Sequence, residues 1–300
     1  MPSTLASALL LSLSLAAGCV GRSASDPASE RVDAPAGTAL EAAADTSRRG
    51  LVADGSAGPP ETAPPGRPPL PEGFVYLRDA APDVAQEMRY FTAFNFVGAP
   101  IDGYRAPECV LTTEAAAALA RVDADLAGRG LGLKVYDCYR PQAAVDHFVR
   151  WARSGQETMK RGFYPDEPTA TLFQRGYIAR RSGHTRGSTV DLTLVRRPAS
   201  DAVVPASRYP DPAAGPLPRC DRPRGERFDD GDLDMGTAFD CLSTRAATAF
   251  PGIPAEARRN RETLRAAMSR GGFSNYSQEW WHFTLRGEPF PRTYHTFPVE

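Results

Sequence analysis

The segment S-G-H-T-R-G-S-T-V-D-L-T-L runs from Ser182 to Leu194, and its reading decides how the rest of the chain folds. The second half alternates. Val190, Leu192 and Leu194 point to one face and Thr189, Asp191 and Thr193 to the other, the period-two pattern of a half-buried strand. Asp191 is therefore expected on the polar face. His184 precedes a turn through Gly187, so an imidazole and a carboxylate flank one turn.

The neighbouring segments supply the other elements. Thr112, Thr113 and Glu114 open a helix that continues from Ala115 to Gly128: a Thr cap, an early acid, Leu119, Val122 and Leu126 at helical spacing, and a Gly exit. Leu131 to Tyr139 alternates as a strand. Arg140 follows it directly, and Pro141 at a first helical position opens a helix striped by Val145, Phe148 and Ala152, which sets Arg140 on a strand-to-helix junction. Arg196 to about Gly231 is rich in Pro, Asp and Arg and reads as a long loop. Such loops inside a domain are uncommon and often functional, so this one is expected to cover a cleft. From about Ala255 to Arg270 the chain forms an amphipathic helix ended by Gly271 and Gly272, and the aromatic run Trp280 to Leu285 reads as a strand. Strands and helices do not alternate strictly, which predicts an α+β fold rather than a doubly wound sheet.

The chain of 300 residues carries 35 Lys+Arg against 36 Asp+Glu, a formal net charge of -1, and is 42% hydrophobic. That balance indicates neither a basic nucleic-acid binder nor an acidic solvating tail. The one long apolar run, Leu5 to Ala17, is shorter than the roughly 20 residues of a membrane-spanning helix, which excludes a polytopic membrane protein. Gly18 and Cys19 follow it. Residues 1–19 resemble a bacterial lipoprotein signal in which Cys19 becomes the lipid-bearing first residue; an ordinary secretory signal containing a Cys is the other reading, and either exports the protein. Residues 20–70 are Ala-, Pro-, Gly- and Ser-rich without apolar periodicity and read as a disordered tether. Residues 71–300 make one domain with a sizeable core.

Four cysteines remain in that domain: Cys109, Cys138, Cys220 and Cys241. An even number in an exported domain points to disulfides, with three pairings open. Cys109 with Cys138 and Cys220 with Cys241 is the favoured set, because each pair closes a short loop around a predicted element. No C-x-x-C spacing supports zinc binding by these thiols.

Of the four histidines, His184 and His282 combine with Asp191 into two imidazole nitrogens and one carboxylate oxygen, the three-ligand set of a catalytic zinc with an open fourth position. Glu279 would then be free to take a proton from water. Residues three apart face opposite sides of a regular strand. Glu279 and His282 can therefore serve one metal only if the backbone bends or bulges near Trp280, or if Glu279 precedes the strand. His147 reads as a surface or groove-lining residue, His295 as solvated in a Pro-rich tail, and Trp280 and Trp281 as core packing.

S-G-H-T-R-G-S-T-V-D (Ser182 to Asp191), E-W-W-H (Glu279 to His282), Y-D-C-Y-R-P-Q (Tyr136 to Gln142) and M-R-Y-F-T-A-F-N-F (Met88 to Phe96) together resemble the bacterial zinc D-alanyl-D-alanine dipeptidases, a family that includes enzymes of vancomycin resistance. The resemblance spans about Phe74 to Leu285. It implies the D,D-peptidase (hedgehog-like) zinc peptidase fold, a small mostly antiparallel sheet flanked by helices. It also implies one Zn2+ per chain on His184, Asp191 and His282, with Glu279 as catalytic base and Arg140 donating to the oxyanion, a task that suits a permanently charged planar fork. Ser182 and Asp240 match positions lining the family's small pocket, and Asp240 is the candidate partner for the free ammonium of a dipeptide. An internal amide carries no such charge, so this anchor would reject longer chains.

The expected function is hydrolysis of D-alanyl-D-alanine. The alternatives are a D,D-carboxypeptidase acting on peptidoglycan stems and a non-catalytic, zinc-containing wall-binding lipoprotein, which would need neither Glu279 nor Arg140. Three departures from the simplest members stand out: the lipoprotein-like signal with its tether, the extra cysteines, and a lengthened loop before Asp230. Export moves the expected substrate to the cell envelope, where salvage of wall-derived dipeptide fits better than resistance. The partners expected are the dipeptide and, through Cys19, the membrane, with no nucleic acid. A Cys19→Ser variant is expected to move from the membrane fraction to the soluble one, and unchanged fractionation would count against the anchor.

Overall fold

The computed structural model describes residues 66–198 and 206–300; Cys19, the signal and nearly all of the expected tether lie outside them. In chain order the elements are β1 (Phe74–Tyr76), α1 (Leu77–Ala80), β2 (Ala85–Gln86), β3 (Val110–Thr112), α2 (Thr113–Ala127), β4 (Leu131–Asp137), α3 (Gln142–Ser154), α4 (Lys160–Phe163), β5 (Thr189–Arg196), α5 (Ala255–Arg270), β6 (Phe273–Asn275) and β7 (His282–Leu285). A five-stranded sheet runs β2-β4-β5-β7-β6, with β1 and β3 as a separate antiparallel ribbon. Only the β2–β4 pair is parallel. This is the α+β, mostly antiparallel architecture expected from the sequence. No helix among the described residues is long and apolar enough to cross a membrane.

Local chemistry sets the element ends. The Thr112 hydroxyl accepts from Ala115 N at 3.3 Å, satisfying one of the orphan donors that open α2. Pro141 is the N-cap of α3 rather than its first helical residue: its ψ of 148° is extended, and its carbonyl accepts from Ala144 N at 3.0 Å. Helix α5 ends at Gly271 as the sequence predicts.

Strand β5 departs from expectation. Every residue from Thr189 to Val195 is buried, because β5 is the central strand and both of its faces are covered. Leu133, Val135, Leu192 and Leu194 join the main core together with Leu119, Val122 and Leu126 of α2 and Leu264 and Met268 of α5. The alternation thus separates an apolar buried face from a polar buried one.

The described part of the long loop covers the polar face rather than a cleft. Lys134 Nζ donates to Glu87 Oε2 and to Asp230 O, each at 2.7 Å, and Arg89 donates to Glu87 at 2.6 Å and to Asp230 at 2.7 Å. Tyr209 stacks on Phe94 with centroids 4.8 Å apart. Buried cations need partners, and this loop brings Asp230 to them.

Two disulfides close the set favoured by sequence, Cys109–Cys138 and Cys220–Cys241, with Cα separations of 5.3 and 5.5 Å. His295 is half-buried rather than solvated. Its ring lies edge-on to Phe74 (4.8 Å) and Phe290 (5.0 Å), because the tail is pinned by Val299 N donating to Gly103 O and Arg105 N to Val299 O.

Gly187 joins the His184 turn to β5 at φ +83°, and a Cβ there would sit 2.3 Å from Phe74 Cε1. Left-handed backbone and overpacking coincide at one position. Gly187→Ala is expected to lower stability by about 2–5 kcal/mol, read from denaturant midpoints; an unchanged midpoint would mean the turn is not constrained in this way.

Candidate active site and metal centre

The site is built on a row that crosses the sheet. Asp191 on β5 is paired directly with His282 on β7 and with Asp137 on β4. The β4–β5 register shifts between Val135 and Asp137. Strict alternation from Leu133 and Val135 would send Asp137 to the helix-covered face; the bulge turns it to the side of Asp191. Sequence reading missed Asp137 for that reason.

His184 arrives on a single turn of 3-10 helix, Gly183–Arg186. Ser182 Oγ accepts from His184 N at 3.2 Å, and Gly187 N closes the turn on His184 O at 2.9 Å. The His184 ring is fixed by Nδ1 donating to Cys138 O at 2.8 Å. A carbonyl can only accept, so Nδ1 carries a proton, and in the neutral ring that leaves Nε2 to present a lone pair.

That lone pair lies 3.3 Å from Asp191 Oδ1 and 3.2 Å from His282 Nδ1, and Asp191 Oδ1 lies 3.0 Å from His282 Nδ1. Asp191 Oδ1 is buried and no hydrogen-bond donor is aligned on it. Ligands about 2.0–2.1 Å from a tetrahedral zinc are separated by roughly 3.3 Å, so the three atoms fit the edges of such a tetrahedron. The orphaned carboxylate oxygen and the two imidazole nitrogens suit a borderline-soft divalent ion. Burial would raise Asp191, but the two histidines outweigh it and hold the carboxyl well below the usual range. Burial lowers His282, which favours the neutral form a ligand needs.

Glu279 does not belong to the strand. It lies in the turn after Tyr276, with Glu279 N donating to Tyr276 O at 3.1 Å, and β7 begins at His282. The second of the two geometric solutions is the one realised, and no bulge at Trp280 is needed. Asn275 Nδ2 holds the turn by donating to Glu279 O and His282 O, both at 3.0 Å. Glu279 Oε2 stands 3.6 Å from His282 Nδ1, and no donor among the described residues reaches its side-chain oxygens. Burial, then the charges of Asp191 and Asp240, push its carboxyl well above the ordinary value.

Arg140 is buried and clamped. Nε and Nη2 lie 2.9 and 2.8 Å from Asp137 Oδ2, Tyr104 OH donates to the other Asp137 oxygen at 2.6 Å, and Arg140 Nη1 makes only a 3.5 Å contact with Ser182 Oγ. Its guanidinium sits 5.1 Å from the ring centre of Tyr90 and 5.3 Å from that of Phe148. Asp240 accepts from Tyr90 OH at 2.8 Å, has φ +58°, and is pushed up to about 7 by burial and by the Asp191 charge.

These groups line one cavity of about 460 Å³: Arg140, Ser182, His184, Asp191, Asp240, Glu279 and His282 all reach it. Its outer wall is the stretch 173–180, not the 196–231 loop, whose described residues do not line it. His147 stays apart on α3, accepting from Asp102 N at 3.2 Å; Trp280 and Trp281 are core residues, and Trp281 also lines the cavity. A second acidic group, Asp229, Asp230 and Asp232, is neutralised by Arg224, Arg89 and Lys134.

The arrangement can hold a divalent ion beside an uncommitted carboxylate and a fixed cation. The family model described as D-ala-D-ala dipeptidase, of the peptidase M15 group, matches residues 71–204 and 226–300, so the break falls where the loop is lengthened. The D-alanyl-D-alanine dipeptidase of Enterococcus faecium is 35% identical over 230 residues, 76% of this chain and 98% of the relative. That of Streptomyces coelicolor is 34% identical over 227 residues (75% and 98%), and that of Escherichia coli 32% over 213 (71% and 84%). A family match over most of the folded chain, together with relatives covered almost end to end, makes this protein a member of the M15 D-Ala-D-Ala dipeptidase family.

Proposed function

We propose that this protein is a zinc-dependent dipeptidase that hydrolyses D-alanyl-D-alanine. The observation that carries the reading is the meeting, in one cavity, of three lone-pair donors and a buried Glu279 whose oxygens are uncommitted. Zinc held by His184, Asp191 and His282 would supply Lewis acidity, polarising the scissile carbonyl and lowering the pKa of water towards about 7.

The chain's own residues do the rest. Glu279, with its raised proton affinity, takes a proton from the attacking water and hands it to the leaving amine. Arg140 is held in place by Asp137, and its loosely engaged Nη1 is available to the oxyanion as charge develops there. Asp240, buried beside Tyr90, pairs with the substrate's ammonium, and Ser182 lines the pocket next to Arg140. A D,D-carboxypeptidase would use the same hydrolytic groups but would have no use for a buried carboxylate at that position. Incubating the purified protein with D-Ala-D-Ala and with a pentapeptide stem separates the two, and preference for the stem would overturn the dipeptidase reading.

Glu279→Ala is expected to lower kcat about 10²–10⁴-fold while bound zinc stays near one per chain, and chelation should abolish hydrolysis by the wild type. Equal activity in the variant would remove Glu279 as the base.

Asp240 carries its charge only above its elevated pKa of about 7. Ammonium binding is therefore strong above that pH and fades below it, so KM for the dipeptide should rise as pH falls through about 7. Asp240→Asn should raise KM about tenfold at high pH and flatten this dependence. A wild-type KM that is flat from about pH 6 to 8 would remove the elevated pKa, and an Asp240→Asn KM equal to the wild type would exclude the role.

A further inference from the structure

Three carboxylates line the cavity, those of Asp191, Asp240 and Glu279. Among the described residues two permanent cations line it, Arg140 and Arg180. Arg140 is buried and spends two of its donor groups on Asp137. Arg180 is different. It is exposed at the mouth, its guanidinium carbon lies 5.2 Å from the ring centre of Phe173, and among the described residues no carboxylate or carbonyl pairs with it.

A dipeptide is a zwitterion, and on the dipeptidase reading above its ammonium goes to Asp240. Its carboxylate then needs a donor of its own, because a carboxylate that leaves water without a cationic or hydrogen-bonding partner is costly. Arg140 is committed to Asp137 and to the reacting centre, and the two histidines are neutral as ligands. We infer that Arg180 is the anchor for the substrate's free C-terminal carboxylate and makes the enzyme prefer peptides that end in an acid.

The local structure suits the task. A guanidinium stacked on an aromatic face keeps its edge donors free for a bidentate carboxylate, which Lys could not reproduce. The segment bearing Arg180 is tied to the Glu279 turn, since Tyr276 OH donates to Gly176 O at 3.1 Å. The anchor and the base are thus held by connected loops. Ammonium at the buried end and carboxylate at the mouth would lay the scissile amide across the cavity between them, with the departing amino acid on the open side.

Steady-state kinetics on D-Ala-D-Ala and on its C-terminal amide test the inference, using wild type, Arg180→Ala, Arg180→Lys and Arg181→Ala. Arg181 is also exposed, lies over Tyr294 and does not line the cavity, so it controls for surface charge. The wild type is expected to favour the acid over the amide about tenfold or more in kcat/KM. Arg180→Ala should erase most of that preference by raising KM for the acid about tenfold, with kcat nearly unchanged and the amide unaffected. Arg180→Lys should recover part of the loss, and Arg181→Ala should match the wild type. A wild type indifferent to the amide, or a preference that survives Arg180→Ala, would overturn the assignment while leaving dipeptide hydrolysis standing. A wild type that cleaves neither compound would take down the dipeptidase reading itself and the anchor with it.

Discussion

The structure depends on one constraint: three electron-pair donors must be held about 3 Å apart in a nearly dry place, where without a cation they repel. Direct pairing of Asp191 with His282 across β5 and β7 fixes two of them at the spacing of cross-strand neighbours. The third comes from a turn and needs separate bracing. Cys138 supplies it: its carbonyl receives the His184 Nδ1 proton, and its sulfur is bonded to Cys109 at the edge of β3. The disulfide therefore restrains the very residue that sets the tautomer of a candidate ligand.

Charge is partitioned as carefully as the lone pairs. Removing a carboxylate or guanidinium from water unpaired costs several kcal/mol, so Arg140 at 9% exposure and Asp137 at 0% can stay buried only because they neutralise each other. Tyr104 and His184 add further contacts on the Asp137 carboxylate, at 2.6 and 3.4 Å. What remains for the cavity is one loosely engaged edge of Arg140, an acid with elevated proton affinity and the ligand set. Catalytic groups are commonly those whose environment moves them away from their ordinary protonation state.

Much of this was legible in the sequence because it rests on short-range rules. The Thr112 cap, the Gly exits of α2 and α5 and the alternation of β5 all depend on residues a few positions apart. The failures have a common source in tertiary context. Alternation along β4 places Asp137 on the wrong face, because a bulge leaves no mark in the run Leu131 to Tyr139. The polar side of β5 read as half-exposed, since a loop more than thirty residues distant in sequence covers it with Asp232 and Asp230. His295 read as solvated because nothing local announces that Phe74, Phe290 and Phe297 close around it. The one available signal for Asp137 was chemical: a carboxylate three residues before an Arg at a strand end, where the chain turns back on itself.

The long loop shows why length alone does not identify a lid. Arg89 and Lys134 are almost wholly buried on the sheet face away from α2 and α5, and Glu87 alone cannot neutralise both. A second acid has to come from elsewhere in the chain. Asp230 does this, bonding Arg89 and Tyr136 through one oxygen at 2.7 Å each, while Phe228 and Tyr209 pack their rings about 5 Å from the Arg89 guanidinium. A segment with that many buried obligations cannot swing open over a substrate without exposing two cations' partners at once. The cavity is walled instead by the stretch from Phe173 to Arg180, which buries little charge and is joined to the Glu279 turn by a Tyr276 hydrogen bond.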